Sequence, residues 1–499
     1  MDMSHWRSSS RLAIALLAAF TLASCGGAGT PVGEPSMPPL SSITRISTDP
    51  FSNVSSQHAT EVESALFASG LTIVAAFQSG RFFSAGSSDI GFATSRDGGA
   101  SWTAGFLPGI TRIVQPGNPF DSVSDPAVAF DAAHGTWLIA SLPIDLRTGL
   151  DAGVLVSRSS DGLNWSNPVG IDPSDTASDK NWIVCDNTVS SPFYGHCYVE
   201  WDDGGTNGLI HMSTSRDGGV TWTNIVSPSG NPAGIGGQPL VQPNGTVIVP
   251  IDDFNEATVL SFVSHDGGVS WTAPVIVSPI SSHFEAAGMR SGPLPTATMD
   301  AVGKAYVVWQ DCRFRTNCAS NDLVLSTSND GVAWTPPSRV PIDPIASVVD
   351  HFIPGLGIDP MTSGAGAHLG LTYYYFDNTN CTAATCRMFV GFIGSQDGGA
   401  TWSGPVQLAG PMNVAWLPQT LLGLMVGDYI ATVFSAGRPL SVFAVANAPS
   451  AGLFDEAMYA PRPGSLMSRS SERHSSAFEH AVPHPRSEYP LRHHPHRTP

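Results

Sequence analysis

Acidic, basic and tyrosine side chains recur in this 499-residue chain at the points where short apolar segments begin or end. The set comprises Glu61, Glu63, Asp125, Asp179, Lys180, Arg290, Asp350, His351, Asp428 and Tyr429, with Arg313 just after another apolar segment. Two carboxylates that face one point about 5 to 9 Å apart can hydrolyse a glycosidic bond. Acids at the start of a strand also cap backbone N–H groups, and for any single residue the sequence leaves both interpretations open.

Six copies of one short turn punctuate the apolar segments. Each copy has Ser, one residue, Asp and Gly, followed by Trp four or five positions after the Asp, as in "TSRDGGASWT". The six acids are Asp97, Asp161, Asp217, Asp266, Asp330 and Asp397. Glycine accepts positive φ, the carboxylate can accept hydrogen bonds from the turn, and Trp can anchor the returning strand. The pattern therefore predicts a structural hairpin turn and not a catalytic group.

The spacing of these turns predicts the fold. They recur every 49 to 67 residues, and each interval holds about four short strands with period-two alternation. Such a repeat indicates an all-β protein, a β-propeller whose turns lie between the third and fourth strands of each blade. We expect seven four-stranded blades, because 41–50 reads as an outer strand that could complete the turn-less strands near the C-terminus. Six blades remain the alternative.

The six turns resemble the Asp-box, or BNR, repeats of the sialidase superfamily, and the resemblance covers residues 42–449. It implies a propeller whose ligand site lies on the face opposite the turns. In that family a tyrosine paired with a glutamate is the nucleophile and an aspartate is the acid/base. Carried onto this chain, the resemblance implies Tyr429, Glu63 (or Glu61) and Asp125 in these roles.

The arginines depart from the family pattern, which binds the substrate carboxylate with three guanidinium groups. Among the inner-strand positions only Arg290 is an arginine, and the family's Arg-Ile-Pro stretch has only the echo Arg45-Ile46-Ser47. The remaining candidates would have to reach in from loops; they are Arg81, Arg313, Arg315, Arg387 and Arg438. Because an acidic face should repel an anionic sugar, cleavage of sialic acid is not favoured.

Three functional hypotheses follow. The first is a tethered propeller that binds a glycan or protein ligand without catalysis, through Asp179, Lys180, Arg290, Arg313, Asp350, His351 and Asp428. The second is an exo-glycosidase of the sialidase type. The third adds a structural Ca²⁺ on the same face, suggested by the adjacent acids Asp202-Asp203 and Asp252-Asp253, although adjacent acids on solvated loops are commoner than ligands. No other cofactor is expected.

The N-terminus predicts export. A basic start, a short apolar run and "LASCGG" are typical of a signal peptide, with Cys25 resembling the lipidated cysteine of bacterial lipoproteins. We therefore expect a signal peptide at 1–25, a Gly/Pro/Ser tether at 26–41, a lipid anchor in the membrane, and location at the outer membrane or cell surface. An ordinary secretory signal with a chance cysteine is the alternative.

The other six cysteines fall into three local pairs, Cys185 with Cys197, Cys312 with Cys318, and Cys381 with Cys386. Each pair would be a disulfide that closes one loop, as expected for an exported protein. Metal binding is the competing interpretation, but no pair has the spacing of a zinc site.

Charge and the C-terminal composition complete the sequence picture. The formal net charge is −18 and only two lysines occur, so nucleic acid is not expected as a partner. Residues 450–499 are rich in His, Arg, Ser and Pro and are predicted to form a disordered tail. Metal or anionic-surface binding by this tail is a weaker hypothesis than a solvated tail without a role.

Overall fold

A computed structural model describes residues 43–145, 150–151, 153–171, 177–463 and 474–475. The predicted signal peptide, the tether, the anchor at Cys25 and most of the predicted tail lie outside these residues. Within the described part of the chain, no helix has the length and apolar character needed to cross a membrane.

The described chain consists of β-strands and five single-turn 3₁₀ helices. The strands are β1 (Ile43–Arg45), β2 (Glu61–Ser69), β3 (Thr72–Arg81), β4 (Ser87–Ser95), β5 (Thr103–Phe106), β6 (Ser122–Asp131), β7 (Thr136–Asp145), β8 (Leu150–Asp151), β9 (Val154–Ser159), β10 (Val169–Ile171), β11 (Ser178–Cys185), β12 (Cys197–Asp203), β13 (Leu209–Ser215), β14 (Leu240–Val241), β15 (Val247–Asp252), β16 (Thr258–Ser264), β17 (Val275–Pro279), β18 (Thr296–Met299), β19 (Ala305–Asp311), β20 (Asp322–Ser328), β21 (Ser338–Arg339), β22 (Asp350–Ile358), β23 (Leu369–Phe376), β24 (Arg387–Ser395), β25 (Thr401–Trp402), β26 (Val406–Asn413), β27 (Gln419–Thr420), β28 (Gly423–Leu424), β29 (Ala431–Ser435), β30 (Arg438–Ala446), β31 (Glu456–Pro461) and β32 (His474–Ser475). The 3₁₀ turns are Gly204–Thr206, Ala286–Gly288, Thr316–Cys318, Gly364–Gly366 and Val414–Trp416.

Consecutive strands pair antiparallel into successive small sheets. In the described residues, four sheets have four strands each: β14 to β17, β18 to β21, β22-β23-β24-β26, and β29-β30-β31-β1. Strands β11 to β13 form a three-stranded sheet, and β2 to β10 form a nine-stranded one in which a single bridge, Ser87 to Val123, joins β4 to β6. Two further pairs, β25 with β32 and β27 with β28, are isolated.

The leading strands of these sheets contact one another in a closed ring. Going round the ring, the order is β2, β6, β11, β14, β18, β22, β29 and back to β2. Apolar side chains fill the spaces between neighbouring sheets in layers, as Tyr198, Met212, Val249 and Phe262 do between β12 and β16. This ring of radially packed sheets is a β-propeller, as the repeats predict.

The N-terminal strand closes the ring by pairing with the last strand of the C-terminal sheet. Residues Ile43 and Arg45 of β1 lie opposite Pro461 and Tyr459 of β31, which is the joining of the two chain ends that the sequence suggested. Strand β31 itself lies beyond residue 449, which is the predicted C-terminal end of the propeller. The Gly- and Pro-containing segment before it resembles a linker, yet Ala457, Met458 and Ala460 are buried.

The six Ser-x-Asp-Gly turns share one hydrogen-bond pattern. In the first, Ser95 Oγ donates to Asp97 at 2.8 Å and accepts from Gly99 N–H at 2.8 Å, while Asp97 Oδ1 accepts from Ser101 N–H at 2.9 Å. Asp161, Asp217, Asp266, Asp330 and Asp397 accept equivalent backbone bonds. Hydrogen bonds from Ser101 lower the pKa of Asp97 to about 2, so the turn stays anionic and locked.

The three predicted disulfides are confirmed. Cys185–Cys197 joins the paired ends of β11 and β12, Cys312–Cys318 closes the loop after β19, and Cys381–Cys386 closes the loop before β24. Three disulfides are a property of proteins that fold in an oxidising compartment.

Removal of Cys185–Cys197, by changing both cysteines to alanine, should lower the free energy of unfolding by about 3 kcal/mol. The reason is that its loop spans 12 residues and loop-closure entropy would return to the unfolded chain. Denaturant unfolding measures the change. Removal of Cys381–Cys386, which spans 5 residues, is the control and should cost about 2 kcal/mol. Equal stability of the wild-type protein and the first variant would contradict the account.

Candidate functional site

Four strands of the inner ring share a β-bulge near their first residues. At each bulge one non-glycine residue takes a left-handed backbone conformation: Glu63 in β2 (φ 58°), Asp125 in β6 (φ 49°), Lys180 in β11 (φ 47°) and Ile353 in β22 (φ 48°). A bulge redirects a side chain, and positive φ at such residues is strained. Three of the four bulges turn charged side chains towards one point on the propeller axis.

Lys180 is the centre of this axial cluster. Its buried Nζ lies 3.1 Å from Asp125 Oδ1 and 3.7 Å from Glu63 Oε1, and it donates to Asp428 Oδ2. Burial lowers the pKa of Lys180, but Asp125, Asp428 and Glu63 outweigh that effect and raise it well above the usual value. The lysine is therefore a fixed cation at physiological pH.

Asp428 forms an ion pair with a second cation, Arg290. Arg290 Nε donates to Asp428 Oδ1 at 2.7 Å and Arg290 Nη2 donates to Oδ2, which is a two-pronged contact. Burial raises the pKa of Asp428, whereas Arg290 and Lys180 lower it, and the net shift is downward. Gly427 precedes this acid with φ 128°, and a Cβ there would lie 2.8 Å from Glu63 N, so only glycine fits.

Glu63 is the neutral member of the cluster. Gln78 Nε2 donates to one of its carboxyl oxygens and Asp428 N–H to the other at 3.3 Å. Burial, and then the charge of Asp125, raise the pKa of Glu63 to about 8. With Glu63 protonated at pH 7, the two carboxylates of Asp125 and Asp428 balance the two cations Lys180 and Arg290.

Tyr429 does not have the surroundings of an activated nucleophile. Its hydroxyl donates to the backbone carbonyl of Pro126 at 3.1 Å, and its ring meets Trp182 edge to face at 5.5 Å. Burial and the nearby acids, Glu63 first, raise its pKa well above the usual value. Among the described residues no hydrogen bond joins Tyr429 to Glu63. The structure thus places the three predicted catalytic residues around one axis without the predicted tyrosine–glutamate pair.

Three of the other predicted ligand-binding residues make local contacts away from this cluster, and the fourth lies beside it. Arg313 binds Asp311 of its own loop at 2.6 Å. Asp350 accepts from Asn321 N–H at 2.6 Å, which is the capping role that the sequence left open, and His351 packs 5.5 Å from Tyr373. Asp179 Oδ1 accepts from Lys180 N–H at 3.1 Å and stays next to the cluster.

Of the predicted arginines, Arg290 is the one whose guanidinium contacts an axial acid in the described residues. Arg81 donates to the backbone carbonyls of Phe82 and Gly86. Burial and, to a smaller extent, the positive charge of Arg290 lower the pKa of Arg81 to about 10. Arg387 pairs with Asp377 at the surface. Among the described contacts, Arg81 and Arg387 therefore do not join Arg290 on an axial carboxylate.

A small recess, partly open to solvent, lies over the cluster. Its lining combines charged, aromatic and neutral residues: Lys180, Asn181, Trp182, Gly236, Gly237, Gln238, Leu294, Pro295, Thr296, Pro354, Asp428 and Tyr429. The neutral residues have little local signal in the sequence, because the lining is assembled from several segments of the chain. Only the Gly236-Gly237 pair, just before a leading strand, could have signalled them, since glycine marks close backbone approach.

Each of the two adjacent acidic pairs, Asp202-Asp203 and Asp252-Asp253, has one carboxyl group bonded to the backbone of its own turn. Asp202 and Asp203 point to opposite faces of β12, because neighbouring residues in a strand alternate, and Asp203 caps the 3₁₀ turn through Gly205 N–H. In the second, Asp253 accepts from two backbone N–H groups of its own turn. The adjacent pairs do not converge as the sequence suggested.

A tighter acidic group, Asp322, Asp343 and His351, has its ligand atoms within 4.8 Å of one another. Arg315 Nη2 lies 2.6 Å from both acids, and Arg339 Nη2 lies 2.8 Å from Asp322 and 2.5 Å from Asp343. Because two guanidinium groups neutralise the two carboxylates, this group forms a salt-bridge quartet and leaves no net negative charge for a metal.

Comparison with known proteins gave structural matches only. No family model and no curated protein matches the chain. Solved structures with a similar arrangement include a Hadza microbial sialidase (16% identity, 81% of this chain and 66% of that chain, TM-score 0.42) and the Trypanosoma rangeli sialidase (12%, 86% and 60%, TM-score 0.45). A polysaccharide lyase, an ulvan lyase, matches with 12% identity over 81% of this chain and 94% of that chain, TM-score 0.45. These likenesses carry no argument about the site.

Replacement of Lys180 by methionine should lower the free energy of unfolding by about 3 to 5 kcal/mol. The change leaves three buried carboxyl groups without their central cation, and denaturant unfolding at pH 7 measures the loss. Lys304→Met is the matched control. The ammonium group of Lys304 lies over the face of Tyr306 at 5.0 Å, and the loss of this contact should cost under about 1 kcal/mol. Similar losses in both variants would refute the central role of Lys180.

Thermal stability should fall as the pH rises from 5 to 9. Burial raises the pKa of Glu61 and Glu63 to about 8, and raises those of Glu200, Asp202 and Asp252 well above the usual range. Such acids bind protons more tightly in the folded state, so their contribution is complete below the unfolded pKa and is lost as the pH passes the folded value. Calorimetry across this range tests the sign, and Glu63→Gln should flatten the slope. A maximum of stability at pH 8 would contradict the assignment.

Proposed function

We propose that this chain is an exported β-propeller that binds a neutral glycan in the axial recess without hydrolysing it. The observation that carries the proposal is the charge-balanced axial cluster. Each of the four charged groups Asp125, Lys180, Arg290 and Asp428 already has its counter-ion, and the tyrosine hydroxyl is bonded to a backbone carbonyl. The recess above the cluster is therefore a place for recognition by neutral polar and aromatic contacts.

The walls of the recess suit a sugar. Trp182 and Tyr429 supply ring surfaces, Pro295 and Pro354 supply apolar ones, and Gln238 supplies an amide. Gln238 Oε1 accepts a hydrogen bond from Ala297 N–H at 2.8 Å. This bond fixes the orientation of the amide group, whose N–H₂ end points away from Ala297. Mostly apolar walls with a few fixed polar groups are typical of small-ligand sites.

An anionic sugar fits this site less well. A ligand carboxylate would have to displace Asp428 from Arg290 and Lys180, which hold it with a two-pronged contact and a further ion pair. Removing one partner of a buried ion pair leaves an uncompensated charge and costs several kcal/mol, in the range of about 3 to 5. Because of this cost, we expect the recess to bind neutral glycans in preference to sialic acid.

One observation supports an alternative function, an exo-glycosidase of the sialidase type. Glu63 has a pKa of about 8 because of burial, and both it and Asp125 contact Lys180. A protonated acid beside a carboxylate is the combination that glycosidases use. The alternative requires that substrate binding opens this pair to the recess.

The number of blades and the cellular location of the protein are part of the same proposal. We propose seven blades, with the nine-stranded sheet counted as two blades that share the single bridge from Ser87 to Val123 and β1 as the outer strand of the last. Cys25 would carry the lipid that holds the protein at the cell envelope, and the three disulfides support an exported location. A protein ligand would occupy the same face.

Glycan-array binding followed by calorimetric titration with the purified protein tests the function. The expected result is binding of neutral glycans, with Trp182→Ala weakening the affinity at least about tenfold, since an aromatic wall is lost. Trp222→Ala is the control, because Trp222 lies outside the recess lining, and it should bind normally. Exclusive binding of anionic glycans would overturn the proposal.

Hydrolysis is tested in parallel with fluorogenic neutral glycosides and an α-sialoside. We expect no release above the rate of a Glu63→Gln, Asp125→Asn variant. Release that this variant loses would establish the glycosidase alternative in place of the binding function, and release that Tyr429→Phe also loses would assign the family nucleophile to Tyr429.

A further inference from the structure

A second polar cluster surrounds the start of β22, outside the axial cluster. Asn321 Oδ1 accepts from His283 N–H at 2.7 Å, and Asn321 Nδ2 donates to the His283 carbonyl at 2.7 Å. His283 Nδ1 lies 3.1 Å from Oδ2 of the fully buried Asp350, the first residue of β22. The backbone and the ring of His283 are therefore both fixed, although its side chain is 25% exposed.

The buried carboxylate determines which nitrogen of this imidazole carries the proton. Asp350 Oδ1 accepts from Asn321 N–H at 2.6 Å, and Asp350 Oδ2 faces His283 Nδ1. Because a carboxylate only accepts, Nδ1 donates to it, and Nε2 of the neutral ring is a hydrogen-bond acceptor. Nε2 has no hydrogen-bond partner among the described residues and reaches the surface. It is therefore available to a hydroxyl group of a ligand.

Glu285, two residues further along the same loop, supplies a donor. Its Oε1 accepts from Gln310 Nε2 at 2.8 Å and from Asn321 Nδ2 at 2.9 Å. Burial, and then the charge of Asp350, raise the pKa of Glu285 well above the usual range, so this carboxyl group is protonated at pH 7. The proton lies on Oε2, because Oε1 already faces two N–H donors. Oε2 reaches the surface, where its O–H can donate to a ligand.

Gln310 connects this cluster to the wall of the recess. Its Oε1 accepts from Ile353 N–H at 3.1 Å, and Ile353 precedes Pro354, a residue of the recess lining. The bulge at Ile353 thus belongs to this second network, whereas the other three bulges serve the axial cluster. From Pro354 back to Asp350 the strand covers at most about 13 Å, at 3.3 Å per residue. This distance is longer than one sugar ring.

We propose that His283 and Glu285 form a second sugar-binding subsite, so that the protein binds a neutral oligosaccharide extending from the axial recess along the start of β22. The inference rests on the proposed glycan-binding function and specifies its ligand. A sugar hydroxyl group both donates and accepts, so one sugar unit can donate to His283 Nε2 and accept from Glu285 Oε2. Since both side chains are fixed before binding, little conformational entropy is lost when the sugar binds.

Calorimetric titration of the purified full-length protein tests the subsite with cellotetraose, maltotetraose, mannotetraose and galactotetraose, each compared with its monosaccharide. We expect at least one tetrasaccharide to bind at least about tenfold more tightly than its monosaccharide, because hydrogen bonds at the second subsite are added to those in the recess. Equal affinities for every tetrasaccharide and its monosaccharide would overturn the subsite and leave the glycan-binding function intact. No binding of any of these sugars would overturn both.

Variants locate the second subsite. His283→Ala and Glu285→Ala should each weaken tetrasaccharide binding about tenfold and leave monosaccharide binding unchanged, since each removes one hydrogen bond outside the recess. Glu285→Gln should restore the tetrasaccharide affinity, because its amide N–H₂ replaces the O–H donor while its oxygen keeps both N–H bonds.

His265→Ala is the matched control for His283→Ala. His265 belongs to the fourth Ser-x-Asp-Gly turn, where its Nδ1 lies 3.2 Å from Thr246 Oγ1, and its loss should leave both affinities unchanged. If Glu285→Ala does not fold, His283→Ala, at a partly exposed position, decides alone. Wild-type tetrasaccharide affinity in His283→Ala, or an equal loss of monosaccharide and tetrasaccharide binding, would refute the subsite.

Discussion

The buried ammonium group of Lys180 is the interaction on which the axial arrangement depends. Glu63 and Asp125 reach the axis from β2 and β6, and Asp428 reaches it from the segment before β29. The two ionised carboxylates, Asp125 and Asp428, would repel each other in a space that excludes water. A single cation within 4 Å of all three converts that repulsion into attraction. Arg290 then completes the neutralisation from the side of Asp428.

The propeller supplies the backbone positions that this ion cluster needs. Bulges at equivalent places in β2, β6 and β11 turn residues inward that a regular strand would direct between the sheets. Their strained φ angles persist because each strand is fixed by two neighbours of the ring, and β1 keeps the ring closed by pairing with β31. The hydrogen-bonded Ser-x-Asp-Gly turns fix the opposite ends of the sheets. The loops on the face that carries the site are therefore free to differ in sequence.

The sequence predicts the scaffold far better than the site. Ser-x-Asp-Gly turns, alternating strands and paired cysteines act over a few residues, which is why the all-β propeller and the three disulfides could be predicted. Long-range geometry decided the rest. Tyr429 and Glu63 are both axial, yet the Tyr429 hydroxyl donates to the Pro126 carbonyl and not to the acid. Likewise the close approach of Gly237 to the buried Glu200 joins two distant segments of the chain, and no local pattern predicts it.

The same physical rule explains both unusual groups of acids in this molecule. A propeller packs its sheets so closely that a carboxyl group on an inner or second strand loses water, and must then be protonated, paired or bound to a cation. At the axis the chain supplies the cations itself, which leaves the recess to neutral contacts. On β12, Glu200 and Asp202 have no hydrogen-bond partner among the described residues, and burial raises the pKa of both well above the usual range. Their charge is therefore removed by protonation, whereas the charges at the axis are paired, and the positions of the few basic residues decide which of the two applies.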